Sequence, residues 1–455
     1  MTISATDEIF NEISKKVEQS SKTYKYKFIG AITIIFAYLA FCWVQFDVSN
    51  IKDRWRPERG LMFILDSYAY KDHVTMKWKS PENVKVTFEG SRFHAYDPKP
   101  AWFSEDTEGE RIITFANKSY VILYDDHVVL VWGEENETYK FRVSDDKRPF
   151  VVGYENNLDA LPDWIRQTKS KIEIRPTLYE RIQVGKNKVE VHRYEVGWKY
   201  FWFDFNSPLA ETSIWKAILL MFSSDRVDPS LTNASLVLHE IMSNEHWQHG
   251  IVLYAMLETI FMALLGTLIA ALVGLPLAFL AARNVQPVIM FRFALRRLFD
   301  LLRGIDTLIW SLIFLRAFGP GLFTGIFAIA FTDTGTLGKL MSEAVENADN
   351  KQREGVQSTG ASKIQQHRFG IIPQIMPVFI SQSLYYLESN TRSAVIIGAM
   401  GAGGIGLQFL GALQTGNDFE NVAYMALLVL ITVVAMDAMS ARLRRTLIGF
   451  EREKN

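Results

Sequence analysis

Polar and apolar positions along this chain are gathered into blocks, and the blocks predict its elements. Phe28 to Phe46, FIGAITIIFAYLAFCWVQF, carries no charge and is close to the roughly 20 residues that cross a bilayer as a helix. A cleaved signal peptide is the rival reading, but the leader before the run is long and no small-x-small site follows it. Leu39 to Cys42 faintly resembles a lipoprotein box, with Phe41 too bulky before the cysteine. A retained anchor helix is the reading taken.

From 51 to about 205 the period changes. The runs VKVTF, RIITF, VILY, HVVLVW, YKFRV, KIEI and KVEVHRYEV read as short strands. Asp125-Asp126 and Gly185 to Asn187 fall between such runs as hairpin turns. One helix is expected near Leu158 to Ser170. Charged residues are frequent here, so the block is a water-facing, mostly β domain inserted between membrane segments.

Apolar blocks then resume. Ile214 to Phe222 reads as a short amphipathic segment. Ile251 to Ala282, Leu298 to Phe318, Gly321 to Met341, Ile371 to Leu387 and Val422 to Ala438 all run beyond the length of a barrel strand without strict alternation, which marks helices. With the first anchor they predict about six transmembrane helices.

Basic residues orient them. RFALRR at 292–297, KQR at 351–353, Lys363 with His367-Arg368, and RLRR at 442–445 flank helix ends, and cytoplasmic loops carry such an excess. Lys15-Lys16 and Lys22 to Lys27 put the N-terminus on the same side. The chain then divides into a cytoplasmic segment 1–27, a first transmembrane helix 28–46, an extracytoplasmic insertion 47–210, a membrane core 211–448 and a cytoplasmic tail 449–455.

Composition removes several functions. A formal charge of -1 over 455 residues, without any Lys/Arg block, argues against a general nucleic-acid binder. Cys42 is the single cysteine, which excludes a disulfide framework within one chain. Neither Gly185-Lys186 nor Gly338-Lys339 has the upstream glycine and following hydroxyl residue of a P-loop. The eight histidines show no HExxH spacing, and no nucleophile elbow occurs. No catalytic residue, metal site or bound cofactor is expected, and any ATP hydrolysis belongs to a partner chain.

The segment EGVQSTGASKIQQHRFGIIPQ, residues 354–374, is polar and basic between two apolar blocks. Two helix-compatible runs flank Gly360, which permits a sharp turn, and Pro373 is tolerated in the first turn of the next helix. The segment resembles the EAA loop of importer-type ABC permeases. Glu354-Gly355-Val356 stand for E-A-A, Gly360 with Ala361 for the central turn, and Gly370, Ile372 and Pro373 for I-x-L-P. The departures at 355, 356 and 370 leave the spacing intact. Residues 351–373 are thus implied to form the loop that partner ATPases grip.

LYYLESNTRSAVIIGAMGAGGIGLQ, residues 384–408, resembles the phosphonate-importer permease family, which shares an E-x-N-x-R run followed by G-x-x-GAGGIG. RGIDTLIWSLIF (Arg303 to Phe314) and PLAFLAARN (Pro276 to Asn284) are similar to further segments of that family, with Asp306 standing where it has proline. The resemblance covers roughly 210–448 and implies an importer-type permease fold. The insertion lies outside it. Alone, the glycine run reads first as a close helix-packing site.

Polar residues inside spans are costly and mark a pathway or an internal pair. Glu258, Arg303, Asp306, Asp333, Glu388, Asn390 and Arg392 qualify. Arg303 and Asp306 are spaced to pair on one helix, as are Glu388 and Arg392. The guanidinium of Arg392 also suits a tetrahedral oxyanion. With Gly401, Gly403, Gly404 and Gly406 these residues are the candidates for path and gate.

The resulting expectation is an α-helical polytopic permease of an ABC importer in the bacterial inner membrane. It implies two ATPase subunits, a second permease that is either a copy or a sister, and a periplasmic binding protein. Phosphonate or a related oxyanion is the implied substrate, with an organophosphate, phosphite or an amino acid as alternatives. A membrane-anchored sensor or assembly protein, binding through the β domain, is the rival function. The insertion is either a folded spacer or a docking platform for the binding protein.

Overall fold

No proline interrupts residues 3–45, and they form one helix, α1 (Ile3–Gln45). Residues Ser21–Gln45 of it are long and apolar enough to cross a membrane. Helix therefore runs on from the residues before the apolar run into the run itself. The computed structural model describes residues 3–51, 55, 57–88, 95–106, 110–115, 118–155, 157–415 and 418–448, so the tail expected at 449–455 lies outside the described residues. The chain divides into two compact units, residues 1–62 and 63–455. The helix α2 (Pro57–Ser67) begins on a proline, whose fixed φ suits a first helical position.

In the second unit the alternating runs become strands of two antiparallel sheets. One has the order β2-β1-β12-β11-β10-β9, the other runs β3 to β8 as a meander. The first sheet contains β1 (Ala69–Lys77), β2 (Ser80–Phe88), β9 (Ile165–Gln167), β10 (Lys171–Ile174), β11 (Glu180–Gly185) and β12 (Lys188–Val196). The second contains β3 (Phe103–Glu105), β4 (Arg111–Thr114), β5 (Tyr120–Leu123), β6 (His127–Trp132), β7 (Glu137–Val143) and β8 (Pro149–Val151). Val74, Val86, Ile172, Ile182 and Val191 of the first sheet meet Ile113, Val121, Leu130 and Phe141 of the second in one buried core. Both expected turns join paired strands, β5 to β6 and β11 to β12.

The helix expected near Leu158 to Ser170 does not form. Only a short 3-10 turn, Leu158–Ala160, precedes β9. Pro162 disfavours helical backbone at Leu161, which is extended at ψ 144°.

Beyond the sheets lie α3 (Ile214–Met221), α4 (Asn233–Met242), α5 (His249–Ala281), α6 (Ile289–Gly304), α7 (Thr307–Phe318) and α8 (Leu322–Glu346). They are followed by α9 (Asn350–Ser358), α10 (Lys363–Gln366), α11 (Ile372–Ile397), α12 (Gly404–Thr415) and α13 (Phe419–Ile448). Small residues bring α5 and α8 together: a Cβ on Gly266 would lie 2.7 Å from Ile329 Cγ2, and one on Gly325 2.2 Å from Met262 Sδ.

The span read as Leu298 to Phe318 is two helices. Extended backbone at Ile305 ends α6, and Asp306 caps α7, its carboxylate accepting from the Leu308 amide at 2.8 Å. Among the described residues, three helices are long and apolar enough to cross a membrane, or four if the bent pair α11 and α12 is one span. The expected six are not reached by length and composition, because α7 has 12 residues and α8 carries Asp333, Lys339 and Glu343.

Candidate functional site

Residues 350–373 form two short helices and a wide turn into α11. Asp349 caps α9, accepting from the Lys351 amide at 3.0 Å. Gly360 turns the chain with φ at 83°, a left-handed conformation that suits glycine, and no atom lies within 4 Å of where its side chain would be. Ser362 and Gln365 then make a capping box that starts α10. Glu354 is exposed on α9, and Gly355, Val356, Gly360, Ala361, Gln365 and Phe369 line a groove of about 690 Å³ between the helices.

The glycine that replaces the expected isoleucine has a reason here. A Cβ on Gly370 would lie 3.0 Å from Arg353 Cα, so the turn and α9 approach by backbone. Pro373 is the second residue of α11, within the first turn, where proline is tolerated. Gln374 closes the loop by accepting from the Asp349 amide and donating to the Asp349 carbonyl. Burial, with Arg353 and Lys363 nearby, holds the His367 imidazole below its ordinary pKa.

The glycine run is a break in the backbone. Gly398–Ala402 forms a π-turn with Gly401 at φ 108°, Gly403 follows at 88°, and α12 leaves at 63° to the preceding helix. Gly406 packs against α11 so closely that a Cβ would lie 1.8 Å from the Val395 carbonyl oxygen. Gly404 sits at φ 69°. Its amide donates to Glu258 Oε2 at 3.1 Å, and the Ile405 amide donates to Thr259 Oγ1 at 2.9 Å. Two side chains of α5 therefore satisfy the first amides of α12 and hold the break in place.

The remaining charges sort into separate clusters. Arg303 does not pair with Asp306, which is engaged as a cap in the next helix. It pairs with Asp300 at 3.2 Å, and Asp300 also meets Arg297 at 3.2 Å and Lys339 at 2.6 Å. Arg392 pairs with Glu388 at 3.0 Å, yet 53% of its side chain is exposed on a helix otherwise largely apolar. Asn390 is buried and donates to Thr267 Oγ1 at 2.8 Å and to Asp333 Oδ2, tying α5, α8 and α11 together. Asp333 and Glu258 were legible as charges in spans. Thr259 and Thr267 were not, since a threonine in a spanning helix ordinarily bonds its own backbone.

The binding-protein-dependent transport system inner membrane component family matches residues 274–446. HtxC of Stutzerimonas stutzeri, named for a phosphite transport system, is 36% identical over 203 residues, covering 45% of this chain and 72% of that relative. The chain belongs to this family. PhnE of Mycolicibacterium smegmatis, a phosphate-import permease protein, is 34% identical over 191 residues, which are 42% of this chain and 36% of PhnE. PhnE2 of Escherichia coli strain K12, named for a cryptic phosphonate transport system, is 43% identical over 121 residues, 27% of this chain and 98% of PhnE2. The permease is thus a transport subunit of phosphonate type rather than an enzyme, and the family segment contains the loop, Arg392 and the glycine break.

Proposed function

We propose that this permease forms half of the translocation path of an ATP-driven importer for phosphite, phosphonate or a related oxyanion. The observation that carries the reading is the helix–glycine–helix loop at 350–366, whose groove offers a partner ATPase a surface outside lipid. Two ATPase subunits grip the loops of two permeases, and a binding protein delivers the ligand on the opposite face. ATP-driven closure pulls on the loops and switches the side to which the path opens, a rigid-body change across an interface.

The substrate class rests on the names of the relatives and on the chemistry of Arg392. An exposed guanidinium on a spanning helix is unstable against lipid and is at home facing a water-filled path, where it meets an oxyanion bidentately. Six crossings fit this reading, with α7 as a short one of about 18 Å. Both termini then lie in the cytoplasm and the β insertion outside. The Glu258 and Thr259 contacts support a gate at Gly401 to Gly406 that is held shut in this conformation.

Uptake of radiolabelled phosphite and phosphonate into cells carrying the whole importer tests the reading. Gly360→Pro removes the amide that bonds the Gln357 carbonyl at 3.0 Å and cannot reach a positive φ. It is expected to abolish uptake while the chain still inserts. Unchanged uptake with either anion as substrate overturns the coupling role, and no uptake of either anion by the unmodified importer overturns the substrate class.

A further inference from the structure

The insertion is bound to the membrane core by buried chemistry at its base. Lys71, on β1 between the edge strand β2 and β12, places Nζ 3.4 Å from Glu420 Oε2 in the first turn of α13, and each side chain is only 3% exposed. His246, just before α5, lies 3.7 Å from the other oxygen of Glu420, and its ring meets Phe88 of β2 edge-on at 5.0 Å. The Asn421 side chain donates to the His246 carbonyl at 3.2 Å. Both strands of the domain nearest the membrane core therefore touch the outer ends of α5 and α13.

The strap that leaves β12 adds a second layer. Trp198 lies 5.2 Å from Trp247, and Phe201 lies 5.3 Å from Tyr424 of α13 and 4.8 Å from His249 of α5. Strap carbonyls accept from Asn244, from Trp247 and from the His249 ring. A tethered spacer needs none of this. A buried lysine–glutamate pair loses its hydration on both partners, so it persists only where the surrounding packing holds the geometry.

From that base one helix leads to the gate. The α5 that begins under the strap at His249 carries Glu258 and Thr259, which hold the amides of Gly404 and Ile405. We propose that the insertion is a lever: it moves as one body with the outer ends of α5 and α13 and transmits the docking of an outside partner to the glycine gate. The partner is the ligand-delivering protein of the importer, and in that respect the inference rests on the proposed function.

Two readouts test it, both in the full chain with Cys42 changed to Ser. In the first, spin labels at the exposed Glu135 of the insertion and Gln414 of α12 report their separation without any partner. A single narrow distance distribution is expected, broadened by Lys71→Met, which takes the lysine ammonium away from the buried Glu420. The double variant Lys71→Met with Glu420→Met replaces the pair by apolar groups of similar length and is expected to restore the narrow distribution. A broad distribution in the unmodified chain overturns the lever.

In the second, ATP hydrolysis by the assembled importer is measured with and without the binding protein. Lys71→Met is expected to leave the basal rate unchanged and to cut the stimulated-to-basal ratio about tenfold, an ordinary size for coupling between sites. The double variant is expected to recover the ratio. Full stimulation in Lys71→Met despite a broadened distance distribution overturns the lever. If no ATPase assembles with the permease, the importer reading fails, and the spin-label distances still decide whether the insertion is rigidly joined.

Discussion

A methyl group at Gly404 acts on the glycine break in two ways that a mutant cycle separates. At φ 69° an L residue pays the left-handed penalty, about 1–2 kcal/mol. Its Cβ would also lie 2.4 Å from Thr259 Oγ1, well inside contact distance. That hydroxyl cannot simply swing aside, since it accepts from the Ile405 amide at 2.9 Å and donates to the Ala255 carbonyl at 3.0 Å. Pushing it away leaves a buried amide without its acceptor, about 1–3 kcal/mol. Gly404→Ala is therefore expected to cost about 2–5 kcal/mol, the sum of both terms. Thr259→Ala removes the same acceptor by itself. In the double variant the new methyl meets no hydroxyl, and the lost acceptor is counted once. The double cost should fall short of the sum of the singles by about 1–3 kcal/mol, a coupling expected only for groups in contact. Unfolding of the purified permease in mixed micelles, titrated with a denaturing detergent and followed by tryptophan fluorescence, measures all four corners of the cycle. Strict additivity would refute the contact and the clamping of the break by α5.

Two further outcomes are expected. With Cys42 changed to Ser, a cysteine at Asp125 should react with a membrane-impermeant thiol reagent in intact spheroplasts, and one at Gln365 only after permeabilisation; the reverse pattern overturns the orientation. His73 and His192 pair across β1 and β12 with rings 5.5 Å apart, and burial holds both imidazoles below their ordinary pKa, His192 further pressed down by His73, Arg181, Lys71 and Lys188. Glu190 opposes this at His73, and Thr87 bonds its Nε2 at 3.1 Å. Because the folded pKa values lie below the unfolded value of about 6.5, stability is fully present above that pH and falls as acid protonates the unfolded chain first. The thermal midpoint of the detergent-solubilised permease should drop between pH 7.5 and pH 5.5, and less so in the His73→Gln, His192→Gln double variant; equal drops in both proteins remove the histidine pair as the cause.

Local pattern determined a large part of this protein by itself. Alternation fixes which face of a strand is buried, so the seven strand runs and both hairpin turns were readable before any contact was known. The polar loop was readable locally too, as two helix-compatible runs about Gly360, and the structure adds the Ser362–Gln365 capping box that starts the second. Two local readings failed through single residues that compete with the period around them. Pro162 holds Leu161 extended and stops a helix over 158–170, and Asp306 splits an apolar run by offering its carboxylate to the next helix. What only the tertiary structure decided is partnership. Lys71 and Glu420 are 349 residues apart, Glu258 and Gly404 are 146 apart, and Asn390 lies 123 from Thr267. Periodicity states that a position is turned inward but not which distant group it meets there. The groups that hold the glycine break and the base of the insertion are therefore chosen by the packing of whole helices and sheets.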